Sequence, residues 1–152
     1  MATCGSEDAA AKVKKAMEVL RAKVRKLGAA SIKGDASVAG KKVPDLLLGS
    51  TEIDNTSAVV DEVQKETGAT VTFFVKSGDD FVRVATNVKT KDSSRAVGTV
   101  LDPKGKAIAA LRDNKSFYGE VDILGNAYTA GYEPLCGKDK KVIGAMYVGY
   151  PK

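Results

Sequence analysis

The first strong pattern in the chain is an apolar seam over residues 7–27. Val13, Met17, Leu20, Val24 and Leu27 recur at alternating intervals of four and three. That spacing predicts a helix with a single narrow apolar stripe, suited either to a sheet face or to a second helix. Ser6, Glu7 and Asp8 favour its start, and Gly28 its end. Residues 29–55 lose the periodicity: Gly34, Gly40, Pro44 and Gly49 punctuate them, with Val43 and Leu46 to Leu48 as apolar anchors. They predict an ordered connector with a short strand or turn near 46–49. A second helix is expected over 57–67, capped by Asn55 or Thr56, with Val59, Val60 and Val63 inward and Gly68 as its stop. Residues 70–87 then alternate as two strands about a turn at Ser77-Gly78-Asp79-Asp80. On the first strand Val71, Phe73 and Val75 share a side. On the return strand Val82 and Val84 take one face, and Phe81, Arg83 and Ala85 the other. Residues 88–114 are irregular, with a short helix between Pro103 and Asp113. Three more alternating stretches, 116–124, 126–134 and 141–149, predict strands, the first two joined by a turn at Leu124-Gly125-Asn126.

The plan is α+β: a five-stranded antiparallel sheet with a long helix on one face and the irregular 88–114 segment over the other. At 152 residues one domain accounts for the whole chain. A flap over a sheet makes a pocket, towards which Arg83, Tyr118, Tyr128 and Tyr132 are placed to point. Arg83 is the informative residue, because a guanidinium among apolar strand neighbours is expensive to bury without a partner. Two readings fit it: an exposed sheet face or edge, or a pocket floor that receives an anion.

Composition narrows the chemistry. The chain contains no histidine. That removes Ser-His and Cys-His nucleophile pairs and His-based metal sites. Cys4 and Cys136 have neither metal nor redox-motif spacing, and either a disulfide or two free thiols fits. No acid pair, P-loop or dinucleotide fingerprint argues for catalysis, and Asp79 and Asp80 read as turn residues. No cofactor is implied. The net charge of +5 gathers in lysines and arginines of the first helix and in a late turn. No aromatics are interleaved with them, so nucleic acid is not an expected partner.

Four segments taken together, TVTFFVKSGDDFVRVATNV, SRAVGTVLDPKGKAIAAL, SFYGEVDILGNAYTAGYEPL and KKVIGAMYVGYP, resemble the single Cache sensor domains of the Cache 3/Cache 2 type. These are extracytoplasmic ligand-binding modules of bacterial chemotaxis receptors and histidine kinases. The resemblance implies a PAS-like sheet, a small ligand between sheet and flap, and a periplasmic domain anchored by flanking membrane spans. The opening Met-Ala-Thr-Cys-Gly-Ser then reads as an excised beginning. In members that bind short carboxylates such as acetate, basic and hydroxyl side chains hold the acid. The matching positions here are Arg83, Thr86 or Asn87, Arg95, and Thr99 beside the sterically open Gly98, with Tyr118 and Tyr128 closing the cavity. Ser93-Ser94 stands where Asp-Gly is usual. On the residues alone, Arg95 is equally suited to a surface pair with Asp92 or Glu120. The helix seam suits packing within the domain or a homodimer, and a structural module with no small ligand is the rival reading.

Overall fold

The longest strands of the sheet are where sequence alternation is clearest, and their order sets the architecture. The computed structural model describes residues 9–54, 58–90, 94–123, 125–137 and 139–151. Helix α1 (Ala9–Leu27) is followed by β1 (Ala30–Val38), β2 (Lys41–Leu48) and β3 (Thr51–Glu52), then α2 (Ala58–Thr67). The hairpin β4 (Thr70–Ser77) and β5 (Asp80–Thr86) leads to α3 (Lys106–Arg112) and the strands β6 (Phe117–Ile123), β7 (Asn126–Cys136) and β8 (Val142–Pro151). The main sheet has the order β5-β4-β8-β7-β6, antiparallel throughout. The chain therefore has the α+β, five-stranded architecture expected from its pattern, in the PAS-like form that the resemblance implies. The expected cap at Ser6, the cap at Asn55 or Thr56, Asp92, Ser93, Cys4 and Leu124 of the β6–β7 turn lie outside the described residues.

One face of this sheet carries α1. Val13, Met17 and Leu20 are fully buried there, beside Val71, Phe73, Val148 and Leu135. The seam is thus consumed within the domain, and Gly28 ends the helix with its N–H on the Val24 carbonyl. Helix α2 packs on β4 through Val60 and Val63.

The connector differs from expectation. Residues 30–52 form a second antiparallel sheet, β1-β2-β3, whose Val38, Val43, Leu46 and Leu48 join the same core. Two features hid it. Four consecutive positions of β1, residues 32–35, are exposed, so it shows no alternation. Pro44 sits inside β2 opposite Asp35, where the register shifts and a missing N–H is tolerated. Gly28 and Gly49 meet where this sheet adjoins α1: a Cβ on Gly49 would collide with the Leu27 carbonyl oxygen.

The opposite face carries α3 and a second core of Phe74, Phe81, Ile108, Leu111, Tyr132 and Tyr147. A bulge in β5 adjusts which residues reach it. Phe73 pairs with Ala85 and Phe74 with Arg83, leaving Val84 as the extra residue. Ala85 therefore turns to the α1 face, contrary to simple alternation, while Arg83 stays on the flap face.

Candidate functional site

Strand register lays an ordered row across the flap face: Thr86, Thr72, Tyr147, Tyr132 and Phe117 are successive cross-strand neighbours. The three rings form a continuous surface, with centroids 5.1 Å apart for Tyr132–Tyr147 and 6.4 Å for Phe117–Tyr132. In the next row Arg83 stacks on Phe74, its guanidinium carbon 5.1 Å from the ring centroid.

The flap is built as an extra strand. Residues 98–101 run antiparallel to β5, with Arg83 N–H on the Thr99 carbonyl (2.8 Å), Gly98 N–H on the Arg83 carbonyl (2.7 Å) and Leu101 N–H on the Phe81 carbonyl (2.9 Å). This pairing covers the otherwise open β5 edge. The chain then turns at Asp102, whose side chain accepts from Lys104 N–H, and enters α3. Arg112 of α3 donates to the Asp79 carbonyl, fixing the flap to the β4–β5 turn.

Between flap and sheet lies a cavity of about 410 Å³. Arg83 and Tyr132 line it from the sheet, residues 117 and 120–123 from β6, and residues 100–102 and 105–107 from the flap. Arg83 is 4% exposed. Its Nη1 donates to Thr99 Oγ1 (2.9 Å) and to the Val100 carbonyl (3.1 Å). Among the described residues Nε and Nη2 have no hydrogen-bond acceptor, and no carboxylate pairs with the guanidinium. Burial pulls its pKa down, with Tyr132 and Tyr147 opposing that. An arginine nonetheless stays charged at any ordinary pH. Burial pushes the Tyr132 phenol up to about 12 against the pull of the Arg83 cation, so it is a neutral donor beside a fixed positive charge. Together they place a buried cation and a neutral hydroxyl on the aromatic floor of one cavity. Among the described residues no group of three or more His, Cys, Asp or Glu side chains is placed to hold a metal ion.

The chain matches the model of the Cache 3/Cache 2 fusion domain over residues 1–152. It belongs to that family. The protein is therefore an extracellular small-molecule sensor domain, and Cache domains are ligand-binding modules rather than catalysts. No curated protein matches the chain.

Within this Cache domain the residues expected at the site are distributed unevenly. Arg83 and Thr99 are brought together by a direct hydrogen bond. Thr86 is on the flap face, but its hydroxyl pairs with that of Thr72 (2.7 Å) and accepts from Val88 N–H. Asn87 is a brace: Oδ1 accepts from Val71 N–H, and Nδ2 donates to the Val60 carbonyl of α2. Arg95 reaches outward, forking onto Asp61 of α2 with two bonds of 2.9 Å, a partner distant in sequence from the expected Asp92 or Glu120. The Asp61 carboxylate raises the Arg95 pKa further. The Gly98 amide is engaged by the Arg83 carbonyl rather than open to an anion.

Tyr128 is buried in the flap-side core, on the same face of β7 as Tyr132 but outside the cavity lining. Tyr118 lies on the other face of the sheet. Its hydroxyl donates to Glu133 (2.7 Å), Lys14 of α1 sits over its ring, and it packs with the α1 core. It closes no cavity, because β6 alternates and Phe117, not Tyr118, faces the flap. Tyr132 is the aromatic residue that replaces it. Period-two spacing from Tyr128 places Tyr132 on the flap side, so its signal was present in the strand pattern.

Proposed function

We propose that this domain is the ligand-binding part of a chemotaxis receptor and that its ligand is a small organic carboxylate received by Arg83. The observation that carries the reading is a guanidinium almost fully buried at a cavity, with one edge bonded to the flap and no carboxylate partner among the described residues. A buried cation without a counter-ion is costly, and an incoming carboxylate removes that cost while accepting a two-point bond. Tyr132 supplies a further neutral donor. The receptor assignment draws on the resemblance of its segments to the sensor domains of chemotaxis receptors and histidine kinases, with a histidine-kinase sensor as the alternative reading. Periplasmic placement, membrane anchoring and signalling by movement of α1 belong to the same reading.

The same arginine holds the flap through Thr99 and Val100, so a ligand on its other edge is coupled to flap position. The sheet that carries Arg83 on one face carries α1 on the other, which provides a short route from cavity to helix. Signalling requires that the acid bind two helix arrangements with different affinity. A homodimer through α1 would use its charged faces, since the seam is already buried.

The test is a thermal-shift screen of organic acids on wild type and Arg83→Gln. A charge-assisted hydrogen bond contributes about 1.5–3 kcal/mol, a factor of roughly 10 to 150 in affinity. We expect an acid-dependent rise in Tm that is lost in the variant. A rise that survives the substitution unchanged would remove Arg83 from the site. Acetate has four non-hydrogen atoms, and at ~1.5 kcal/mol each its Kd is expected no tighter than tens of micromolar.

A further inference from the structure

Resting on the carboxylate reading above, we infer that the ligand is not an acetate-sized acid but a monocarboxylate with an apolar body, either a medium-length chain or an aromatic ring. The first observation is size. The cavity measures about 410 Å³. A dry engineered cavity of about 150 Å³ accepts benzene, or roughly 25 Å³ for each non-hydrogen atom, which scales here to on the order of fifteen such atoms. Acetate would leave most of that space without contact.

The second observation is the chemistry of the wall. Phe117 and Val121 of β6 face the flap-side core with Ile123, and Leu101 and Ala107 oppose them from the flap. Arg83 and Tyr132 line the same cavity as this apolar surface, the latter in ring contact with Phe117. The exposed Asp102, Lys106, Glu120 and Asp122 complete the lining on its solvent side. A head group at Arg83 therefore has an apolar path ahead of it, and a hydrocarbon body is what that path favours.

The third observation is the geometry at the cation. With Nη1 committed to Thr99 and Val100, the free edge of the guanidinium is Nε and Nη2, which accommodates one carboxylate as a fork. No second buried cation lines the cavity, since Lys106 is exposed at the rim. One head group and one body follow, in preference to a di- or tricarboxylate.

Titration calorimetry on the intact domain distinguishes the outcomes. The probes are acetate, butyrate, hexanoate and phenylacetate, with hexanol and benzyl alcohol as uncharged counterparts, on wild type, Arg83→Gln and Val121→Phe. Each buried methylene is worth about a fourfold gain, so hexanoate should bind at least tenfold tighter than acetate. Val121→Phe fills part of the cavity from an edge strand without touching Arg83. It should weaken hexanoate and phenylacetate at least tenfold while leaving acetate within twofold. Acetate binding as tightly as hexanoate, or larger acids indifferent to Val121→Phe, would overturn the apolar-body inference and leave the carboxylate reading standing. Alcohols binding as well as their acids would overturn both.

Discussion

Arg83 and Asp54, the buried basic and acidic side chains among the described residues, behave in opposite ways, and each is legible from its partners. Arg83 retains its charge and, among the described residues, has side-chain hydrogen bonds on one edge only, the feature on which the proposed anion site rests. Asp54 has no such role. Its Oδ1 accepts from Leu46 N–H (2.9 Å), while its Oδ2 is buried without a partner. Burial, with Asp45 and Glu52 adding to it, pushes its pKa up to about 6. The folded state therefore holds this proton more tightly than the unfolded chain, where a carboxyl titrates near about 3.9. Its favourable contribution is complete below about pH 4 and lost as pH rises through about 6. Asp54→Asn keeps an acceptor for Leu46 and removes the charge. Urea unfolding at pH 4.5 and 7.5 should show wild type losing stability over that interval through this group. The variant should lose that step and be at least as stable at pH 7.5; an unchanged pH step would mean Asp54 is not its source.

At the scale of elements, the small sheet meets the end of α1 through close backbone contacts at Gly28 and Gly49, with no room for a side chain. Gly49 has φ +64° and abuts Leu27 and Gly28 at the end of α1. A methyl group there meets a carbonyl oxygen rather than a movable side chain. Gly49→Ala is expected to cost about 2–4 kcal/mol, combining left-handed backbone strain with a forced separation of sheet and helix. Chemical denaturation measures this directly, and a cost below about 1 kcal/mol would show that the junction relaxes freely. Gly98 is a similar close approach at the far end of the hairpin: a Cβ there would stand 2.5 Å from the Ala39 Cβ. The β1–β2 hairpin thus touches the flap at its tip and the end of α1 at its base. Ion pairs between Lys23 and both Glu62 and Glu66 join the two helices on the surface. Such exposed pairs contribute little to stability and serve mainly to align the helices.

At the scale of the whole molecule, two cores share one sheet, which has the cavity on one face and α1 on the other. Ligand binding at Arg83 is expected first to steady the flap. Hydrogen–deuterium exchange with saturating hexanoate should slow the Gly98 and Leu101 amides, which bond to the Arg83 and Phe81 carbonyls. A change reaching α1 would support transmission through the sheet. Unaltered protection of residues 98–101 with the acid bound would remove the flap from the mechanism.

Local pattern was enough for the long helix, the α2 stop at Gly68, the β4–β5 hairpin and the three late strands, because each has a period set by its own backbone geometry. The same alternation singled out Arg83 as an apolar-strand cation and put Tyr132 on the flap side. The absence of histidine fixed what chemistry was unavailable. Tertiary structure alone decided the rest. The β1-β2-β3 sheet owes its stability to burial against the main core rather than to alternation, so a β1 with five of nine residues exposed and a β2 holding Pro44 gave little local sign of it beyond the short strand or turn expected near 46–49. The bulge at Val84 turned Ala85 away from Arg83, a one-residue shift that pairing partners determine. Arg95 was claimed by Asp61, thirty-four positions away, and Tyr118 by Glu133 on the α1 face. Long-range partners of that kind depend on which surfaces meet, and one chain's pattern of polar and apolar residues does not encode the meeting.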